Sequence, residues 1–233
     1  MIWLHADLIN EDFALFLTLV ASTLLALLIG IAFHEACHAF MADSLGDPLP
    51  ASQGRVTLNP LAHLDPLGTI MMLFVGFGWG KPVQFNPYGL KIKPKTASFL
   101  VALAGPLSNF VAAGLLAIPI KAGWVPYINP FSRFLTGLNG TDEFIGVFLT
   151  GAVYMSLILG VFNLIPIPPL DGFKVAIGVL PDSLAEELVK LDKYGFAPLL
   201  ILIFVLPAFG YYPLSDIMQP TVRWLVHLFT GVG

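Results

Sequence analysis

Residues 13–38 read FALFLTLVASTLLALLIGIAFHEACH. The first 21 of them, Phe13 to Phe33, carry no charge, and a helix needs about 20 apolar residues to cross a bilayer. The next five place two imidazoles and a carboxylate at the end of that span. An ionisable group at membrane depth costs about 3 kcal/mol and marks a functional position by default. The run therefore predicts a membrane helix from Phe13 to about Leu45 with a polar site near its end.

Composition agrees. The 233 residues are 57% hydrophobic and 11% charged, against about 25% charged in soluble domains. Three more charge-free runs are long enough to span, Thr96–Ile120, Phe144–Leu170 and Tyr194–Ser215. Pro66–Gly80 is also uncharged but shorter, and it ends in Gly76-Phe-Gly-Trp-Gly80. Irregular backbone at membrane depth needs protein or a cavity around it, so this segment reads as a re-entrant β-hairpin. Gly172–Leu180 is a short apolar piece. Ser183 and Glu186 read as a capping box for an amphipathic helix over 183–193, and Ile217–Phe229 reads as an interfacial helix. The expected fold is an all-α polytopic membrane protein with about four to six membrane helices and one short re-entrant hairpin. We find no internal repeat, and no soluble domain fits between the spans, so residues 1–233 read as one membrane domain. No basic stripe suggests nucleic acid, and the lone Cys37 excludes an internal disulfide.

Basic residues set the orientation. Arg55, Lys81, Lys91, Lys93 and Lys95 lie between the first and second long runs. The positive-inside rule puts 43–95 on the cytoplasmic side, hairpin excepted, with the N-terminus and the 121–143 connection outside. No Lys or Arg precedes Arg55, whereas a signal peptide has a positive n-region.

His34, Glu35 and His38 have the HExxH spacing. Residues four apart on a helix share a face one turn apart, so both imidazoles can hold one cation. Glu35, about 100° further round, stands beside the cation, where a general base for a metal-polarised water belongs. Catalytic zinc takes three protein ligands and keeps a position open. Candidates for the third are Asp47, His63, Asp65, Asp171 and Asp216. Asp171 stands out because it follows Asn163-Leu-Ile-Pro-Ile-Pro-Pro-Leu170. The prolines forbid a regular helix, the span should unwind, and Gly172 permits a close backbone approach. The alternative is that Asp171 caps a helix. His63 reads as either a neighbour of the site or a group that satisfies turn backbone. Cys37 reads as a small buried residue.

The HEACH motif and the later Asn163–Gly172 signature together resemble the site-2 protease family of intramembrane zinc metalloproteases, peptidase family M50. Thr57–Gly68, Gly78–Val83 and Ala104–Asn109 also resemble its segments. The resemblance covers about residues 30–175, and the chain leaves no room for the PDZ-like or CBS-like domain of some members. It implies one Zn2+ on His34, His38 and Asp171, with Glu35 as the catalytic glutamate. It implies that Asn163 holds substrate or a developing oxyanion. The expected substrates are single-pass transmembrane proteins, cut in or near the bilayer of a cell membrane, with the active site towards the cytoplasm. Val83, Gln84 and Phe85 alternate suitably to bind an extended substrate as an added strand. Asn109 is expected either to contact substrate or to serve close helix packing. Two other readings remain open: a metal or solute transporter, and an inactive relative that binds membrane helices.

Overall fold

The computed structural model describes residues 13–75, 78–132, 138 and 140–232. Helix α1 (Phe13–Ser44) is unbroken, as its proline-free, charge-free first two-thirds dictate. α2 is Pro66–Val75, α3 Pro94–Lys121 and α4 Thr141–Asn163. α5 (Asp171–Val179) and α6 (Asp182–Val189) are short. α7 spans Ala197–Ala208 and α8 Pro213–Thr230.

α1, α3 and α4 are long and apolar enough to cross a membrane, and α7 with α8 is a fourth candidate pair, bent by 100°. Their buried faces are small and apolar. Ala113, Ala117 and Ile120 of α3 meet Val153 and Leu157 of α4 and Val222 and Val226 of α8. Ala26, Leu27 and Ile31 of α1 meet Ala152 and Met155 of α4 and Met72 of α2. The outward faces are apolar too: Leu107, Val111, Leu115 and Ile118 form an exposed stripe along α3. A continuous apolar face of that kind suits hydrocarbon rather than water, and the chain is a multi-pass membrane protein.

Three expectations need correction. The 66–80 segment is not a β-hairpin: residues 66–75 form α2, and among the described residues the only β contact is an antiparallel bridge between Leu64 and Gly80. Leu67, Ile70 and Phe74, all exposed, follow helical rather than alternating spacing, and the glycines gather only after Val75. Residues 76–77 lie outside the described residues. Secondly, the Tyr194–Ser215 run does not make one straight helix. α7 contains a π-helical stretch, Ile201–Val205, and the chain turns before Pro213, where Pro207, Gly210 and Pro213 interrupt the helical ladder. Thirdly, Ser183 does not cap α6. That helix starts at Asp182 after Pro181, without a side-chain cap, and ends at Val189; a 3₁₀ turn covers Asp192–Tyr194.

α5 is tied to the start of α3. Lys95 Nζ donates to the Leu180 carbonyl at 2.8 Å and to Asp182 Oδ1 at 2.7 Å. This holds the residues after Asp171 against the bundle. Residues 1–12, which carry the expectation of an outside N-terminus, and 133–137 of the 121–143 connection lie outside the described residues.

Candidate metal centre

His34 and His38 sit in the last third of α1, both buried. Their rings meet edge to face, and the two Nε2 atoms are 3.0 Å apart. Asp171 comes from 137 residues away and sets Oδ2 2.9 Å from His34 Nε2 and 3.0 Å from His38 Nε2. Its arrival depends on the end of α4. The helix stops at Asn163, and 164–170, with Pro166, Pro168 and Pro169, fold as turns. Gly172 then packs on the preceding turn so tightly that a Cβ there would lie 2.2 Å from the Leu164 carbonyl oxygen. Asp171 is the first residue of α5, and Leu170 is the N-cap, so the carboxylate is not a cap.

The donor set fits a cation. Tetrahedral zinc with bonds of about 2.0–2.1 Å separates neighbouring ligands by about 3.3 Å, a few tenths more than the edges seen. The outer partners fit as well. His38 Nδ1 lies 2.7 Å from the Val101 carbonyl, to which it must donate, and that leaves Nε2 its lone pair. His34 Nδ1 lies 3.1 Å from Asn109 Nδ2, while the buried Asn109 Oδ1 has no partner. Turning that amide over lets Oδ1 accept the His34 Nδ1 proton, which frees His34 Nε2 for a cation. A buried orphan acceptor beside a buried imidazole is what an oriented metal ligand requires. Asn109 therefore lies behind His34, fully buried between α3 and α1, rather than along the cavity.

Gly105 of α3 completes the back wall. A Cβ there would sit 2.3 Å from His38 Nε2 and 2.6 Å from His34 Cε1. Only a residue without a side chain lets α3 pass against both rings.

A cavity of 140 Å³ opens over the triad, lined also by Glu35, Val83, Phe85, Asn163 and Lys174. A second, largely apolar cavity of 300 Å³ reaches His34, Glu35 and Asn163 from the side of Trp79, Phe196 and Leu199. Glu35 Oε2 accepts the Val83 N–H at 3.2 Å and lies 4.0 Å from Arg55 Nη2. Asn163 donates through Nδ2 to the Leu159 carbonyl at 3.0 Å. Residues 82–85 carry no regular secondary structure. Val83 and Phe85 face the cavity, whereas Gln84 turns away and accepts from Gln53 Nε2 at 3.1 Å.

The remaining candidates lie elsewhere. His63 is fully buried, and its Nε2 meets the Thr57 carbonyl at 2.8 Å. Asp47 accepts from the Leu49 and Asn86 amides. Asp65 accepts from the Gly68 amide at the start of α2, and Asp216 lies in the first turn of α8. Cys37 is half-buried and free. Two residues at the site were not foreseen. Lys174 stands one turn beyond Asp171, with Nζ 5.8 Å from the Phe85 ring centre, and its i,i+3 spacing was a usable signal. Arg55 was read for topology alone, yet it is buried.

The M50 peptidase family model matches residues 139–205, which include Asn163 and Asp171. "Putative zinc metalloprotease YwhC" of Bacillus subtilis is 34% identical over 219 residues, 93% of this chain and 94% of that one. "Putative zinc metalloprotease Rip2" of Mycolicibacterium smegmatis is 29% identical over 214 residues, 88% of this chain and 74% of its own length. "Putative zinc metalloprotease MJ0611" of Methanocaldococcus jannaschii is 30% identical over 156 residues, 66% of this chain and 68% of that one. No solved structure matches. With a relative this similar over nearly its whole length, the chain belongs to peptidase family M50, the site-2 protease family, and is a membrane metalloprotease.

Proposed function

We propose that this protein is a zinc-dependent endopeptidase that cuts single-pass membrane proteins in or beside their transmembrane segments. The observation that carries the reading is the convergence of His34, His38 and Asp171 within 3.0 Å, with Glu35 on the same cavity wall, inside a bundle of apolar helices. His34 and His38 through Nε2 and Asp171 through Oδ2 would hold one Zn2+. Bound there, the ion supplies Lewis acidity and lowers the pKa of water to about 7.

The chain's own groups do the rest. Glu35 takes the proton of the attacking water and returns it to the leaving amine. Asn163 uses one amide hydrogen on Leu159 and retains a second for the carbonyl oxygen of the substrate as it becomes anionic. One such donor is worth about 3 kcal/mol. Residues 82–85 receive the unwound substrate as an added strand; the Gln84 and Phe85 amides take no partner among the described residues, and Val83 and Phe85 border the reacting bond. The apolar cavity beside Trp79, Phe196 and Leu199 takes apolar substrate side chains.

Glu35→Gln separates this reading from transport. In proteoliposomes with a single-pass reporter, the wild type should cleave and the variant should not, at equal zinc content. Zinc flux through both proteins without cleavage by either would overturn the peptidase reading. The cytoplasmic placement of the site rests on the lysines of 81–95. In a Cys37→Ala background, Ser44→Cys should react with an impermeant thiol reagent from the cytoplasmic side and Lys121→Cys from the other; the opposite result reverses the orientation.

A further inference from the structure

Arg55 is 3% exposed and lies in the connection between α1 and α2, just after a helical turn at Leu49–Ser52. Its Nη1 donates to the Ala62 carbonyl at 2.9 Å and its Nη2 to the Lys81 carbonyl. Its Nε has no partner. A guanidinium is buried at a cost unless its charge is met, and carbonyl dipoles meet it only in part. The nearest formal counter-charge is Glu35 Oε2, 4.0 Å from Nη2, on a side chain 14% exposed. The same oxygen accepts the Val83 N–H. Glu35 Oε2 thus takes one hydrogen bond, from Val83, and faces the guanidinium as an ion pair, while no described residue bonds Oε1.

The structure assigns to Arg55 the positioning of Glu35: its guanidinium and the Val83 amide hold Oε2, so that Oε1 is left to exchange a proton in the cavity. The inference rests on Glu35 being the proton carrier proposed above. Geometry favours it over a purely mechanical clamp. Two carbonyl bonds would suffice to pin residues 62 and 81 together, and a neutral donor would make them without burying a charge. A buried cation is needed if its task includes an anion. Val83 belongs to the segment proposed to receive the substrate and Lys81 immediately precedes that segment; Val83 is tied to Glu35 and Lys81 to Arg55.

The test compares wild type, Glu35→Gln, Arg55→Gln, Arg55→Lys and the Glu35→Gln/Arg55→Gln double variant in detergent. Zinc per chain, melting temperature, kcat and KM are measured on one reporter peptide. Arg55→Gln should keep its zinc and its KM while kcat falls between about 10- and 100-fold, the scale of a misplaced catalytic group. Arg55→Lys, which retains the charge but not the fork, should recover part of kcat. The two Gln substitutions should be coupled in melting temperature, the double variant losing less than the sum. Unchanged kcat in zinc-loaded Arg55→Gln overturns the assignment, as does a loss confined to KM. If Arg55→Gln does not fold, Arg55→Lys decides: wild-type kcat at full zinc overturns the inference, and a reduced kcat at unchanged KM supports it. An active Glu35→Gln enzyme removes the proposed function and this inference together, whereas an inactive one beside a fully active Arg55→Gln removes the inference alone.

Discussion

At Gly105 two effects of one substitution oppose each other. Alanine is favoured over glycine in a helix interior by about 1 kcal/mol, so Gly105→Ala should raise the helical tendency of α3. The added methyl would stand 2.3 Å from His38 Nε2, far inside contact distance. α3 is held by α4 and α8, so the imidazoles are what must move. The expected outcome is retained helicity with zinc content well below one per chain, read by circular dichroism and metal analysis; a fully zinc-loaded variant would contradict the packing. Asn109 acts more gently. Asn109→Ala removes the acceptor from His34 Nδ1 but leaves the ligand atom, so zinc affinity should fall about 10- to 100-fold in a chelator competition. Without the ion bound, chain folding should be little changed.

The turn between α4 and α5 decides whether a site exists at all. Asn163 ends one helix and Asp171 starts the next, and the prolines between them keep the two from merging. One helix-interior proline costs about 3 kcal/mol. Replacing Pro166, Pro168 and Pro169 together by alanine should let α4 run on past Asn163 and carry Asp171 away from α1. Zinc should be lost from a protein that gains helix, and zinc retention would show that packing of α5 on α3, not the prolines, places the carboxylate. The same scale explains where sequence reading fell short. Leu67, Ile70 and Phe74 carried a helical period, but the glycines after them drew attention to the segment's end. The fourth apolar run looked continuous because hydropathy is blind to the proline and glycine breaks that bend it.

In the molecule as a whole, the cation would join α1 to α5 across 137 positions of chain. Binding to the folded state alone stabilises by about 4 kcal/mol when free ligand is a thousandfold above Kd. Chelation should therefore lower the melting temperature of the wild type, and zinc should restore it. Asp171→Ala should show neither response, and a chelator-insensitive wild type would count against a resident ion. The loss should be partial, because the clusters between α3, α4 and α8 do not involve the site.

The HExxH spacing on a charge-free run settled α1, the paired imidazoles and the glutamate beside them, since a helix turns local spacing into direction. Three spanning helices were legible for the same reason: solvent acts on the hydropathy of each segment independently of its neighbours. Asp171 was legible as a candidate through the prolines around it. What it meets was decided by tertiary structure, as were Asn109 behind His34, Gly105 against both rings and Arg55 beside Glu35. None of these has a period or a spacing relative to the histidines. Each is brought to the site by the packing of a different part of the chain, and a contact between distant residues is a property of that packing rather than of either local sequence.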